Sequence, residues 1–252
     1  MRNPFVYGAI VTGTHFVNRD REIREITAGL LGGQHIILYS PRKMGKSSLI
    51  EEVFRRINES GEAYAARINL QKTETKEALS MMLINETVRK TYSSVEKLAK
   101  EMKELFKRID VKLSVDKDGK MEIEPTFGEI REILEDALDF PEKVSEKKGK
   151  RMIIAFDEFQ EMRKYDGIEM ERLFRATIED HRSVSYIFTG SERHLISLIF
   201  EDCERPFYRF ARFMELGPIE EYQLRNFIAK KFNDTNKNIT DDALDYVITF
   251  SE

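Results

Sequence analysis

Apolar residues along this chain follow two rhythms. Five short, nearly unbroken apolar runs at residues 35–40, 64–70, 152–156, 184–189 and 213–216 predict buried strands. Runs without alternation suit a parallel sheet covered on both faces. Between them the spacing changes to three and four. Residues 47–60 set Leu49, Ile50, Val53, Phe54 and Ile57 on one helical face, with Gly61 just past the end. Residues 76–90 repeat this with Leu79, Met82, Leu83 and Glu86 as the face turns polar, and residues 168–180 group Met170, Leu173, Phe174 and Ile178. Strands alternating with helices predict a doubly wound α/β domain.

Two stretches depart from that alternation. Residues 111–115 and 121–124 alternate apolar and polar around Asp116-Lys-Asp-Gly119-Lys, the signature of a β-hairpin with Gly119 at a positive-φ position. This hairpin is expected as an insertion at about 109–127, preceded by a charged helix over 95–107. Its Asp116-x-Asp118-Gly119 run lacks the further oxygen ligands and closing Glu of a calcium loop. Residues 140–151, with five basic side chains, read as a solvated connector. Beyond Pro218 the pattern is purely helical, over 220–232 and 240–250, the second with Thr240 or Asp241 as N-cap. Two such helices make a poor core alone. The expected division is therefore a core over 1–218 and the start of a truncated helical lid over 219–252.

Composition narrows the classes of function. The 252 residues carry 41 basic and 45 acidic side chains, a net charge of −4, which argues against a surface coated for nonspecific nucleic-acid binding and leaves a local patch open. The single Cys203 forms no internal disulfide and, with no signal-peptide core, predicts a reducing, cytoplasmic setting. No apolar run reaches the roughly 18 residues of a membrane span, so no membrane partner is expected. His15, His35, His181 and His194 show no metal-ligand spacing with Cys203.

The chemistry is concentrated at strand ends. After the first apolar run come Ser40-Pro41-Arg42-Lys43-Met44-Gly45-Lys46-Ser47-Ser48, and then a helix. A turn opening a helix presents unpaired N–H donors and positive partial charge, which suit a polyphosphate. In such a loop Lys46 reaches the β- and γ-phosphates and the Ser47 hydroxyl sits on Mg²⁺. Ser40 stands where the motif has Gly; a positive φ there would cost about 1–2 kcal/mol. The 152–156 strand ends in Asp157-Glu158. A strand-end Asp of this kind holds the Mg²⁺ shell, and the adjacent Glu158 is placed to polarise an attacking water. The 184–189 strand runs into Gly190-Ser191. Ser191 either senses the γ-phosphate or caps the following helix. Arg205, Arg209 and Arg212 lie among aromatics, and nucleic-acid contact, an arginine finger and simple packing all remain open; Arg209 is the choice if one acts.

These residues resemble the archaeal ATPase family of P-loop NTPases, in the STAND/AAA+ branch. Phe16-Val17-Asn18-Arg19-Asp20-Arg21-Glu22-Ile23 is similar to its "FVGRExEL" box, with Asn18 in place of Gly. Residues 40–49 resemble its "GPRRxGKTSL" loop, 153–160 its Walker B strand and 189–191 its sensor strand. Arg205-Pro-Phe-Tyr-Arg209-Phe and Leu216-Gly-Pro218 resemble its "PLYGR…L.PL" region, and 110–127 its hairpin. The resemblance implies an ASCE-type, AAA+-like P-loop fold with a parallel five-stranded sheet in the order 5-1-4-3-2. It also implies ATP or ADP bound beside Phe16, Val17 and Arg19, with Pro218 near the adenine. Family members continue into a lid and a winged helix, so a DNA or protein partner would be held by a missing C-terminal module.

Mg²⁺-dependent ATP hydrolysis driving a conformational switch is the expectation that follows. The alternative is a nucleotide-gated scaffold or DNA-associated module with negligible turnover. A P-loop kinase fits less well, because direct transfer needs no water-activating acid beside Asp157. The oligomeric state is not legible.

Overall fold

The apolar runs lie side by side in one parallel sheet. The computed structural model describes residues 3–17, 19–94, 97, 98, 101, 105, 110–115, 121–127 and 130–250. Asn18, Gly119 with the rest of the hairpin turn, and most of the helix expected at 95–107 lie outside the described residues. In chain order the elements are α1 (Asp20–Leu31), β1 (Ile36–Tyr39), α2 (Lys46–Ser60), β2 (Tyr64–Asn69), α3 (Lys76–Thr91), β3 (Asp110–Val115), β4 (Met121–Phe127), α4 (Ile130–Lys148), β5 (Met152–Asp157), α5 (Ile168–Ile178), β6 (Val184–Gly190), α6 (Arg193–Phe200), β7 (Arg212–Glu215), α7 (Glu221–Asn233) and α8 (Asp241–Thr249).

The main sheet runs β2-β5-β6-β1-β7, all pairs parallel. Counted without the hairpin, this is the order 5-1-4-3-2 read from the other edge. Every residue of β5 and β6 is buried, which is why their sequences are mostly apolar, with Asp157, Ser185 and Thr189 the buried polar residues. Alternate residues still divide between two faces. Ile36, Leu38, Ile153, Ala155 and Ile187 pack under α1 and α2, whereas Ile37, Ile154, Phe156, Tyr186 and Phe188 pack with α3 to α6. The second face includes a cluster of phenylalanines, of which Phe159 and Phe188 have ring centroids 4.6 Å apart. Each such pair adds about 0.5–1.5 kcal/mol beyond its burial. Because Phe159 follows Glu158 directly, the cluster anchors the end of β5. Registers Tyr39↔Gly190, Tyr39↔Glu215 and Asn69↔Asp157 bring the strand C-termini to one edge, where ligands of such sheets bind.

Two sequence expectations need correction. The supposed connector at 140–151 is mostly the second half of α4, in which Phe140 and Val144 are fully buried. Pro141 inside the helix and the basic tail obscured it: proline removes an internal hydrogen bond, yet burial of the apolar stripe outweighs the loss. The buried face of α3 includes Ile84, Thr87 and Val88, so it does not fade at Glu86. That helix is covered twice, by β2 and by the hairpin. The hairpin β3–β4 docks through Asn85, whose side chain accepts from Ile123 N at 2.7 Å and donates to Ile123 O at 3.2 Å. Among the described residues, no helix is long and apolar enough to cross a membrane.

Candidate nucleotide site

The loop after β1 closes on itself through two left-handed residues, Lys43 (φ 70°) and Gly45 (φ 80°). Gly45 is the N-cap of α2, and its glycine makes that conformation inexpensive. Ser40 is not among the positive-φ residues, so the backbone cost foreseen for replacing glycine there does not arise. Its cost is of another kind. Ser40 is fully buried and its hydroxyl lacks a hydrogen-bond partner among the described residues.

Residues 41–48 line a cavity of about 750 Å³, together with Glu158, Ser191, Gln71 and the segment from Tyr7 to Ile10. Lys46, 7% exposed, sets its ammonium 3.5 Å from Glu158 Oε1. Burial pulls the Lys46 ammonium below its ordinary value, and Glu158 and Asp157 oppose that pull. Glu158 sits in the left-handed region (φ 53°, ψ 52°), at a cost of about 1–2 kcal/mol for a residue with a Cβ. Buried Phe159 on one side and the β5 ladder on the other hold it there. Its Oε2 accepts from Ser191 Oγ at 2.9 Å, Ser191 N at 3.3 Å and Gln160 Nε2 at 2.6 Å. Ser191 therefore faces Glu158 and the cavity, and Glu192 is the residue at the N-cap of α6.

Asp157 is nearly buried beneath Lys46. Its carboxylate accepts from the Thr189 hydroxyl and from the Arg67 guanidinium. Burial alone would raise its pKa, but Arg67, Thr189 and Lys46 outweigh this and hold it below the usual carboxylate range. The same Arg67 Nη2 donates to Ser47 Oγ at 3.0 Å. The Ser47 hydroxyl and the Asp157 carboxylate thus converge on one point. Two hard oxygen donors beside the loop fit Mg²⁺, which takes one or two protein oxygens and completes its octahedron with phosphate and water.

Arg19 is 4% exposed and donates to Met44 O at 3.2 Å and Gly217 O at 2.9 Å. It thereby ties the loop at 41–48 to the segment just after β7, and Phe16 packs on the core beneath α1. Phe16, Val17, Arg19 and Pro218 do not line the cavity; Pro218 is exposed. Residues 7–10 form that wall, fastened by Val11 N to Ser48 Oγ at 3.1 Å and Gly13 N to Glu52 Oε2 at 2.9 Å. Arg205 pairs with the fully buried Glu171, and Arg212 pairs with Glu25, so packing accounts for both. Arg209 is exposed, stacks on Tyr208 at 5.1 Å and does not line the cavity.

Sequence reasoning missed Arg67, Thr189's bond to Asp157, and residues 7–10. A lone arginine in the apolar run Ala65-Ala66-Arg67-Ile68 was the one visible sign, since a charge in a buried strand requires a partner.

A family model described as an ATPase domain predominantly from Archaea matches residues 16–250. The chain belongs to this ATPase family. Solved structures share the fold. A Walker-type ATPase of Pyrococcus abyssi is 23% identical at a TM-score of 0.69, over 98% of this chain and 66% of that one. The ORC2 protein of Aeropyrum pernix, solved as ADPNP–ADP complexes, is 13% identical at 0.59, over 92% of this chain and 56% of its own. The ORC1 protein of the same organism, in complex with DNA, is 16% identical at 0.54, over 90% and 51%. This ATPase-family chain therefore spans between about half and two thirds of those relatives. A search of curated protein sequences finds no match.

Proposed function

We propose that this ATPase-family chain binds ATP with Mg²⁺ in the cavity beneath residues 41–48 and hydrolyses it to drive a conformational switch. The observation that carries this is the convergence of Ser47 and Asp157 on one point while Lys46, Glu158 and Ser191 face the same cavity. Backbone donors of residues 43–47 and the Lys46 ammonium would cradle the β- and γ-phosphates. Ser47 and Asp157 would hold Mg²⁺, which supplies charge neutralisation at the phosphate oxygens. Glu158 would take a proton from the attacking water, and Ser191, already bonded to Glu158, would report the γ-phosphate to it. Phe16, Val17, Arg19 and Pro218 would hold the nucleoside end in place through the 7–10 wall and the 217 carbonyl. Arg209, exposed and apart from its own cavity, would serve as a finger toward another copy's site. Residues 219–252, with α7 and α8, would begin a helical lid.

The test is nucleotide binding by Lys46→Ala. Calorimetry should show ATP affinity lost by at least about tenfold with the fold retained, since a charge-assisted phosphate contact contributes about 1.5–3 kcal/mol. Native affinity in that variant would defeat the proposal. A second reading, a DNA-associated module with slow turnover, is favoured by the likeness to the ORC1 protein solved with DNA. Phosphate release stimulated by duplex DNA, with a steep salt dependence, would select it.

A further inference from the structure

The cation that stands between Ser47 and Asp157 belongs to the protein. Arg67 Nη2 bonds the Ser47 hydroxyl at 3.0 Å and the Asp157 carboxylate, and Nη1 bonds Glu51 Oε1 at 3.2 Å. A divalent ion using the same two oxygens would face the guanidinium's positive charge a few ångströms away. The two cations compete for one place. Arg67 is also only partly satisfied where it sits, because its Nε is buried with no hydrogen-bond partner among the described residues. Arg67 also lines a second cavity of about 510 Å³, where Glu51, Asn69 and Glu86 supply oxygens and Arg55, Lys72 and Lys90 supply cations. A guanidinium turned into it keeps Glu51 within reach and meets the oxygens of Asn69 and Glu86, which it shares with the cations of Arg55, Lys72 and Lys90. The structure thus offers the side chain two polar positions, one at the metal point and one away from it.

We propose that Arg67 is a resident counter-cation of the metal point, which must withdraw into the neighbouring cavity before Ser47 and Asp157 can hold a divalent ion. In the first position it keeps the two ligands together and neutralises Asp157; in the second it frees them. Metal affinity is therefore set by a residue on β2 that belongs to neither the phosphate loop nor the β5 acidic pair. The inference rests on the reading of Ser47 and Asp157 as metal ligands.

The experiment is Mn²⁺ binding, followed by electron paramagnetic resonance with a saturating non-hydrolysable ATP analogue, in the wild-type chain, Arg67→Ala and Arg67→Lys. Arg67→Ala should bind Mn²⁺ about tenfold more tightly, a coupling of ordinary size. With chelator present it should bind the analogue more weakly than wild type, because the resident charge is gone. Arg67→Lys should stay near wild type in both. Equal or weaker Mn²⁺ affinity in a folded Arg67→Ala overturns the inference alone. Absence of nucleotide-dependent Mn²⁺ binding in every protein overturns the metal reading, and the inference with it. Should Arg67→Ala fail to fold, the arginine ζ-carbon resonance of Arg67 in the wild type decides: a shift on adding metal and analogue supports withdrawal, and an unchanged resonance refutes it.

Discussion

On the proposed function, Glu158→Gln should separate chemistry from binding. Three donors converge on Oε2, namely Ser191 Oγ, Ser191 N and Gln160 Nε2. The amide oxygen of a glutamine must therefore take that place. Its NH₂ then lies where Oε1 was, 3.5 Å from the Lys46 ammonium, and two donors face each other. The lost attraction is about 4–5 kcal/mol gross at an effective dielectric of about 20. Desolvation of both partners and the persistence of Asp157 offset most of it, leaving a net destabilisation of about 1–2 kcal/mol. The left-handed backbone at 158 is unchanged by the substitution, so no further term enters. Hydrolysis should fall by about 10²–10⁴, the usual worth of a positioned base, which is about 3–5 kcal/mol of barrier. Nucleotide affinity should hold or tighten, because a negative charge near the phosphates is removed. Single-turnover phosphate release, read beside equilibrium titration with ATP, measures both. Wild-type turnover would refute the base assignment. Affinity falling in step with turnover would refute it too, by making Glu158 a binding residue.

Three further outcomes are expected. Ser40→Ala should raise stability in urea unfolding by about 1 kcal/mol, since it deletes a buried hydroxyl with no partner among the described residues; Ser40→Gly should gain less, because φ there is not positive and glycine costs about 0.5–1 kcal/mol relative to alanine. His35 is held down to about 4 by burial, with His181, Arg175 and Arg151 adding to it, and its Nδ1 accepts from Tyr186 N. Its unfolded form takes up a proton near pH 6.5, so stability should be complete above that pH and fall as pH drops toward about 4, by up to about 3 kcal/mol; His35→Gln should flatten that slope in pH-dependent unfolding, and an unaltered slope would sink the assignment. Gly190→Ala would place a Cβ 2.4 Å from Ile196 and 2.6 Å from Gln160 Oε1, and overpacking of that kind costs about 1–3 kcal/mol. Because Gln160 bonds Glu158, turnover should fall with melting temperature in that variant, and wild-type turnover would show the two to be uncoupled.

What the sequence disclosed was what short-range chemistry determines. The strands were legible because β5 and β6 are buried on both faces, and the turn at 40–45 because it runs straight into the start of α2. Thr240 was legible as a cap because its hydroxyl accepts from Ala243 N within the same turn. The rest depended on what meets across the sheet. Nothing local tells that Arg67 reaches Asp157, 90 residues away. Nothing local tells that residues 7–10, which carry no motif, wall the cavity, or that Arg19 holds two backbone carbonyls. The second half of α4 was hidden by Pro141, whose local signal to stop is overridden by the burial of Phe140 and Val144.

The fastening of residues 11 and 13 to α2 would bear on how long a nucleotide stays in the proposed site. The outer wall of the cavity is held by two hydrogen bonds to side chains of the helix whose first turn forms the floor. Glu52, the acceptor of one, is itself gripped by Arg55 and Arg56, which with the Gly13 N–H hold it down to about 2 despite its burial. Wall and floor therefore separate only when those bonds break, at about 0.5–1.5 kcal/mol each. In the proposed site, residence time would thereby rest on Ser48 and Glu52. Exchange kinetics, more than equilibrium affinity, is the property through which changes at these two positions would be felt.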